Sequence, residues 1–199
     1  MPMPPAPDLA NMSLAEVAKA LAEQRLPPVD QWHPTHCGDS DMRIARDGVW
    51  YHQGSPIGRL EMVRLFATIL RREPDGGYVL VTPSEKLTIE VEDAPFVAVE
   101  LKSEGEGPHR QLAFRLNTGE LVVAGADNAL RFDTRDEACP ERLPQGDGRR
   151  GPHPYLHVRG GLEALVARPV YYELAEMALA EANGARGVWS GGIFFAMDA

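Results

Sequence analysis

The sequence predicts an α+β fold made of two domains with related antiparallel sheet-plus-helix cores. Three observations predict it. Short runs alternate apolar and polar residues, as in Leu87, Ile89 and Val91 against Lys86, Thr88, Glu90 and Glu92, the pattern of half-buried strands. Other stretches repeat apolar residues at i, i+3 and i+4, the spacing of a helix with one buried face. Finally, one plan occurs twice: strand, Arg-x-Gly turn, strand, Pro-aliphatic pair, helix. Arg46-Asp47-Gly48 with Pro56-Ile57 is echoed at constant offset by Arg159-Gly160-Gly161 with Pro169-Val170. The echo reads as an internal duplication, although the apolar faces of the two helices align only after a shift of a few residues. The boundary falls near Asp93-Ala94-Pro95, giving a first domain over 1–94 and a second over 95–199.

In chain order, residues 1–12, with their Pro-rich start, read as a disordered tail without the basic and apolar regions of a signal peptide. Ser13 and Glu16 fit a capping box opening a helix to about Leu26, with Leu14, Val17, Ala18 and Leu21 on its buried face, and Pro27-Pro28 stop it. A polar connector over 29–38 leads to a strand over Asp41–Arg46, with Met42 and Ile44 on one side and Asp41 and Arg43 on the other. Asp47-Gly48 turns the chain into a second strand, Val49–Gln53. Gly54 to Gly58 breaks that strand and prepares a helix from about Arg59 to Arg71, with Met62, Leu65, Phe66 and Ile69 inward. Strands follow at Tyr78–Thr82 and Lys86–Glu92.

The second domain begins with a strand over Phe96–Lys102 and a Gly- and Pro-rich loop. Leu112, Phe114 and Leu116 alternate into a turn at Asn117-Thr118-Gly119 and a strand over Leu121–Ala124. Leu130–Asp133 is a short strand, and Thr134 to Pro154, rich in charge, Pro and Gly, reads as a mobile loop. A hairpin around Gly160-Gly161 joins Tyr155–Arg159 to Leu162–Ala167. The last helix spans Val170 to about Ala182 with Tyr171, Leu174, Ala175 and Ala178 inward. Trp189, Ile193, Phe194 and Phe195 in the tail imply docking on the body.

A formal charge of −9 works against a nucleic acid or anionic-membrane partner, since either polyanion would be repelled. No apolar run approaches the roughly 20 residues needed to cross a bilayer. Cys37 and Cys139 form no CxxC unit, which points to a reducing cytoplasm rather than a disulfide framework.

The strings Cys37 to Gly48, Gly54 to Arg59, Val79 to Pro83, Val91 to Val99 and Tyr155 to Leu165 together resemble the domain of unknown function 1285 family of uncharacterised bacterial proteins. The resemblance covers about Pro27 to Ala182. It implies two domains with related cores, the second superficially similar to a pleckstrin-homology fold. It also implies a nucleotide-based ligand at the domain interface and a role in signal transduction. It brings no catalytic residues.

Among candidate sites, Asp39, Asp41 and Arg43 come first. Ser55, Gly58 and Arg59 lie at the adjacent helix opening, whose free backbone N–H groups suit an anion, and Lys86 adds a further charge-assisted bond. In this reading Arg43 and Arg59 hold a phosphate-like group and the aspartates a sugar hydroxyl or a metal-bound water. The competing reading is a solvated, mutually paired face beside an ordinary helix start. His33, His36, Cys37, Asp39 and Asp41 are metal-type ligands in sequence, but no second cluster completes a site. Cys37 beside these histidines resembles a nucleophile less than a small apolar residue. Trp50, Tyr51 and His52 offer stacking surface, although aromatics in a hairpin usually serve the core. No Walker motif, HExxH or complete nucleophile elbow occurs.

The leading expectation is therefore a non-enzymatic sensor or adaptor, with no cofactor, that binds a small nucleotide-like anion between the domains and passes the state to a protein partner. A phosphoester hydrolase using Asp39, Asp41 and a divalent metal is the second class. A protein-interaction module working through the edge of the second sheet is the third.

Overall fold

The structure, a computed structural model, describes residues 9, 12–23, 25–133, 153–180 and 186–197. Most of the expected tail, residues 134–152 of the charged loop with Cys139, and residues 181–182 of the expected last helix lie outside the described residues. Leu9, placed in that tail, is instead buried in a cluster with Val17, Ala113 and Leu121.

Two six-stranded sheets form the body. The first comprises β1 (His36–Ile44), β2 (Trp50–His52), β3 (Ser55–Pro56), β4 (Leu70–Arg72), β5 (Tyr78–Val81) and β6 (Glu85–Val91). Its strand order is β3-β2-β1-β6-β5-β4. The second comprises β7 (Phe96–Glu104), β8 (Gln111–Leu116), β9 (Leu121–Val123), β10 (Leu130–Asp133), β11 (His153–Arg159) and β12 (Leu162–Val166), in the order β10-β11-β12-β7-β8-β9. Each sheet is two three-stranded meanders, joined at the centre by one parallel pair, β1 with β6 and β12 with β7. The expected antiparallel sheets are therefore mixed. Alternation reports which face of a strand is buried, but it carries no information on the direction of the neighbour.

The two sheets share this strand order, with β1 corresponding to β7. The β1–β2 and β11–β12 hairpins paired by the sequence echo hold different places: β1 is the parallel central strand of its sheet, whereas β11 lies one strand out from the centre.

Helix α2 (Leu60–Thr68) is shorter than expected, and its inward face differs. Val63 and Ala67 are buried, whereas Met62 and Leu65 are 40% and 57% exposed. Leu60, Met62, Val63, Leu65, Phe66, Ala67 and Ile69 are apolar nearly all round the helix, so periodicity alone could not choose its face. The expected helix end at Arg71 is instead β4, because Leu70 and Arg71 find ladder partners in Leu80 and Val79.

Helix α1 (Leu14–Glu23) forms the expected capping box, Ser13 N–H to Glu16 Oε2 at 2.7 Å and Glu16 N–H to Ser13 Oγ at 3.3 Å. It packs on the second sheet rather than the first. Val17, fully buried, meets Ala113 and Leu121 in a small cluster apart from the main core. Leu14 N–H donates to Glu104 at 3.3 Å and Lys102 to the Met12 carbonyl, fixing the helix over β7 to β9.

Helix α3 (Arg168–Ala180) buries Val170, Leu174 and Ala178. The aromatic tail docks as expected, but as a hairpin, β13 (Gly187–Ser190) with β14 (Ile193–Ala196). The buried Ser190 hydroxyl anchors it, accepting from Leu112 N–H at 2.9 Å and donating to the Ala124 carbonyl at 2.7 Å. One apolar core runs through both sheets, from Ile44, Trp50 and Leu70 to Phe96, Phe114, Leu156 and Leu174.

Candidate functional site

The contact between the two sheets is built from backbone carbonyls capped by side chains of the other domain. Arg64 Nε donates to the Thr118 carbonyl at 2.7 Å, Arg72 Nη1 to that of Gly161 at 3.1 Å, and Arg159 Nη2 to that of Ala67 at 2.9 Å. Asn117 Nδ2 donates to the Gly48 carbonyl at 3.1 Å. Where the chain crosses between domains, Asp93 accepts from the Tyr155 hydroxyl at 2.8 Å and faces Arg46 at 3.5 Å. Burial, then the Asp93 charge and this hydrogen bond, push the Tyr155 hydroxyl well above the usual phenol range.

A cavity of about 200 Å³ opens beside this contact. Val29, Asp30, Thr68, Leu70 and Arg71 line it from the first domain, and Arg159, Gly160 and Leu162 from the second, with Leu26 and Pro27 at one side. Each domain contributes one guanidinium, and leucines come from both, Leu26 and Leu70 from the first and Leu162 from the second. Arg71 reaches it already organised: Nη1 donates to the Val29 and Trp32 carbonyls, both at 2.8 Å, and Nε to Glu73 at 2.8 Å. Arg159 is held by Glu120, both of whose carboxylate oxygens accept from Nη1 at 2.5 Å, and lies 5.3 Å over the Phe96 ring. Two cations among apolar residues suit an anionic group carried on an apolar or aromatic body, with Asp30 the one carboxylate in the lining.

The residues chosen from sequence lie elsewhere. Asp39, exposed on β1, accepts from Asp41 N–H at 2.7 Å and from the Thr88 hydroxyl at 2.8 Å, and these bonds hold its carboxyl below the usual range. Asp41 is exposed at a left-handed φ of 53°, where β1 carries an irregularity between Asp39 and Arg43, and its carboxylate meets Gln53 Nε2 at 3.4 Å. Arg43 pairs with Glu92 and lies 4.4 Å over the Tyr51 ring. Ser55, Gly58 and Arg59 are exposed, and Arg59 caps α2 with its backbone alone.

The structure thus brings Asp39 and Asp41 together and sets Lys86 on the next strand, while Ser55 lies beyond β2. None of the seven lines the cavity between the sheets. Lys86 comes nearest, through Glu73, which accepts from Lys86 Nζ at 3.0 Å and from Arg71. Among the described residues no three His, Cys, Asp or Glu side chains converge on a metal position, so Asp39 and Asp41 lack a third ligand of that type. Trp50 is a core residue, 1% exposed and stacked on Phe66.

Sequence reasoning read Arg71 only as a helix end and Asn117 only as a turn residue, and passed over Glu120. Arg159 stood inside a singled-out string but was read only as a turn residue. A charge at the end of an apolar strand, next to a glycine pair that turns the chain back, was the available signal.

Residues 27–94 match the model described as domain of unknown function (DUF1285), N-terminal domain, and residues 95–197 that of the protein of unknown function (DUF1285), C-terminal domain. The chain belongs to the DUF1285 family. A DUF1285 family protein from Silicibacter pomeroyi DSS-3, known as a crystal structure, is 42% identical over 92% of this chain and 93% of its own, with a TM-score of 0.76. A second DUF1285 family crystal structure, from Shewanella baltica OS155, is 26% identical over 68% of this chain and 91% of its own, with a TM-score of 0.49. No curated protein matches the chain. The two DUF1285 domains meet between residues 94 and 95, so Arg71 and Arg159 reach the cavity from different domains of the family. No helix among the described residues is long and apolar enough to cross a membrane.

Proposed function

We propose that the protein is a non-enzymatic sensor or adaptor that binds a small anionic, nucleotide-like ligand between its two domains and passes that state to a protein partner in cytoplasmic signalling. The observation that carries this reading is the cavity with one arginine from each domain on its walls. A ligand that touches both domains changes the free energy of their contact, which is what a sensor requires. The leucines and Pro27 offer apolar surface for a base or similar ring, and the guanidiniums offer donors for its anionic group. In the same reading the common strand order of the two sheets records an internal duplication. The second domain, a sheet followed by α3, is superficially similar to a pleckstrin-homology fold.

Thermal-shift and calorimetric titration with AMP and inorganic phosphate test the site. A ligand at 100 times its Kd adds about 2.7 kcal/mol to stability, enough to move the melting temperature by several degrees. Binding should survive Arg43→Ala and be lost in Thr68→Trp, which fills the cavity. The reverse pattern would move the ligand to β1, and no binding in any variant would remove the reading.

A further inference from the structure

The turn Asn117-Thr118-Gly119-Glu120, between β8 and β9, grips the first domain at two points. Asn117 holds the Gly48 carbonyl and the Thr118 carbonyl accepts from Arg64. Its last residue, Glu120, holds Arg159, the second-domain cation of the cavity. Arg159 in turn holds the Ala67 carbonyl, at the end of α2. The cavity and the domain contact therefore share one guanidinium.

That guanidinium has five N–H donors. Nη1 donates to both Glu120 oxygens and Nη2 to the Ala67 carbonyl, which leaves Nε–H without an acceptor among the described residues. Nε–H lies on the edge of the guanidinium that it shares with Nη2, an edge that takes a carboxylate or phosphate in bidentate fashion. With side-chain exposures of 22% for Arg159 and 12% for Glu120, the pair is partly withdrawn from water, so a second anion on the same cation competes strongly with the first.

We propose that Arg159 reads the ligand and that Glu120 is its built-in competitor. The ligand's anionic group takes the Nε edge of Arg159 and weakens its bond to Glu120. The turn at 117–120 then loosens its hold on Gly48 and Arg64, so that occupancy becomes a change in domain contact. This proposal rests on the interdomain ligand reading above and adds its regulation. It also accounts for a carboxylate beside an anion site: Glu120 occupies Arg159 when no ligand is present and sets the threshold for response.

The test uses the full chain. AMP, inorganic phosphate and adenosine are titrated calorimetrically into wild type, Glu120→Gln and Arg159→Lys, with far-UV circular dichroism as the folding control. Amide exchange at 46–50 and 117–120 is followed with and without AMP. Glu120→Gln should bind AMP about tenfold more tightly than wild type, and Arg159→Lys, charged but without the planar fork, about tenfold more weakly. AMP should speed exchange at Gly48 and Gly119 in wild type and leave Glu120→Gln unaffected. Phosphate binding without adenosine binding assigns the recognition to the anion, as required. Adenosine binding as tightly as AMP overturns the proposal. AMP binding equally to wild type and Glu120→Gln, or binding without change at 46–50, overturns the proposal and leaves the ligand reading standing. No binding of any probe to wild type or to Glu120→Gln overturns both. Should Arg159→Lys fail to fold, the Glu120→Gln comparison alone decides.

Discussion

Asn117 and Gly48 are joined across the domain contact by a single side-chain amide. Nδ2 donates to the Gly48 carbonyl at 3.1 Å, while Oδ1 accepts from Val97 N–H at the same distance. Gly48 closes the β1–β2 hairpin through its N–H to Ala45, at a φ of +82°. A Cβ there would come within 2.5 Å of Asn117 Nδ2 and 2.9 Å of Val97 Cγ2. The residue that makes the turn is therefore also the residue that lets the other domain approach.

Gly48→Ala should be more damaging than Gly54→Ala for this reason. Gly54 has a similar φ of +77° but nothing within 4 Å of its Cβ position. Both substitutions carry the left-handed backbone cost of about 1–2 kcal/mol, and only Gly48→Ala adds the clash. Chemical denaturation of the two variants measures the difference, and equal losses would remove Gly48 from the contact.

The face of α2 gives a second contrast. Val63→Ala removes buried methyl groups and should cost about 2 kcal/mol. Leu65→Ser and Met62→Ser, at 57% and 40% exposed positions, should stay within about 0.5 kcal/mol of wild type. Denaturation midpoints that ranked Leu65→Ser below Val63→Ala would restore the face that the periodicity first suggested.

This helix also marks where the sequence became hard to read. Hairpins were legible because a turn is local chemistry: Asp47-Gly48, Asn117-Thr118-Gly119 and Gly160-Gly161 all fall at strand reversals. The capping box of Ser13 and Glu16 was legible for the same reason. What sequence could not supply was long-range choice. Leu70-Arg71 becomes a strand because Val79 and Leu80 are there to pair with it. α1 lies on the second sheet because Val17 fits between Ala113 and Leu121. The candidate site suffered most: charge density drew attention to Asp39, Asp41 and Arg43, which satisfy one another or near neighbours on an exposed strand. Arg71 and Arg159 meet a common cavity only once both domains are folded.

Glu73 should give the acid limb of stability a specific signature. Burial raises its carboxyl, but hydrogen bonds from Lys86 and Arg71 and their charges outweigh that, so the folded value lies below the ordinary 4.5. A depressed folded value means the contribution is fully present above the unfolded value and is lost as pH falls through the folded one. Wild type should therefore exceed Glu73→Gln in stability at pH 7, with the gap closing as pH drops below about 4.5. Denaturation at a series of pH values checks this, and a gap that widened in acid would reverse the sign.

The last expectation concerns α1, which precedes the region matched by the N-terminal family model but rests on the second sheet. Its buried contacts belong to a small cluster of Leu9, Val17, Ala113 and Leu121, apart from the main core. Helix and sheet should therefore separate without global unfolding. Val17→Asp puts an unpaired carboxylate where no water reaches and should detach the helix. Amide exchange should then rise over 14–23 and at β9, while β1 to β6 keep their wild-type protection. Ser13→Ala should act in the same direction but more weakly, since loss of an N-cap costs about 1 kcal/mol. If Val17→Asp instead raised exchange in β1 to β6 and spared β9, α1 would belong to the first domain, as the position of the helix in the chain had suggested.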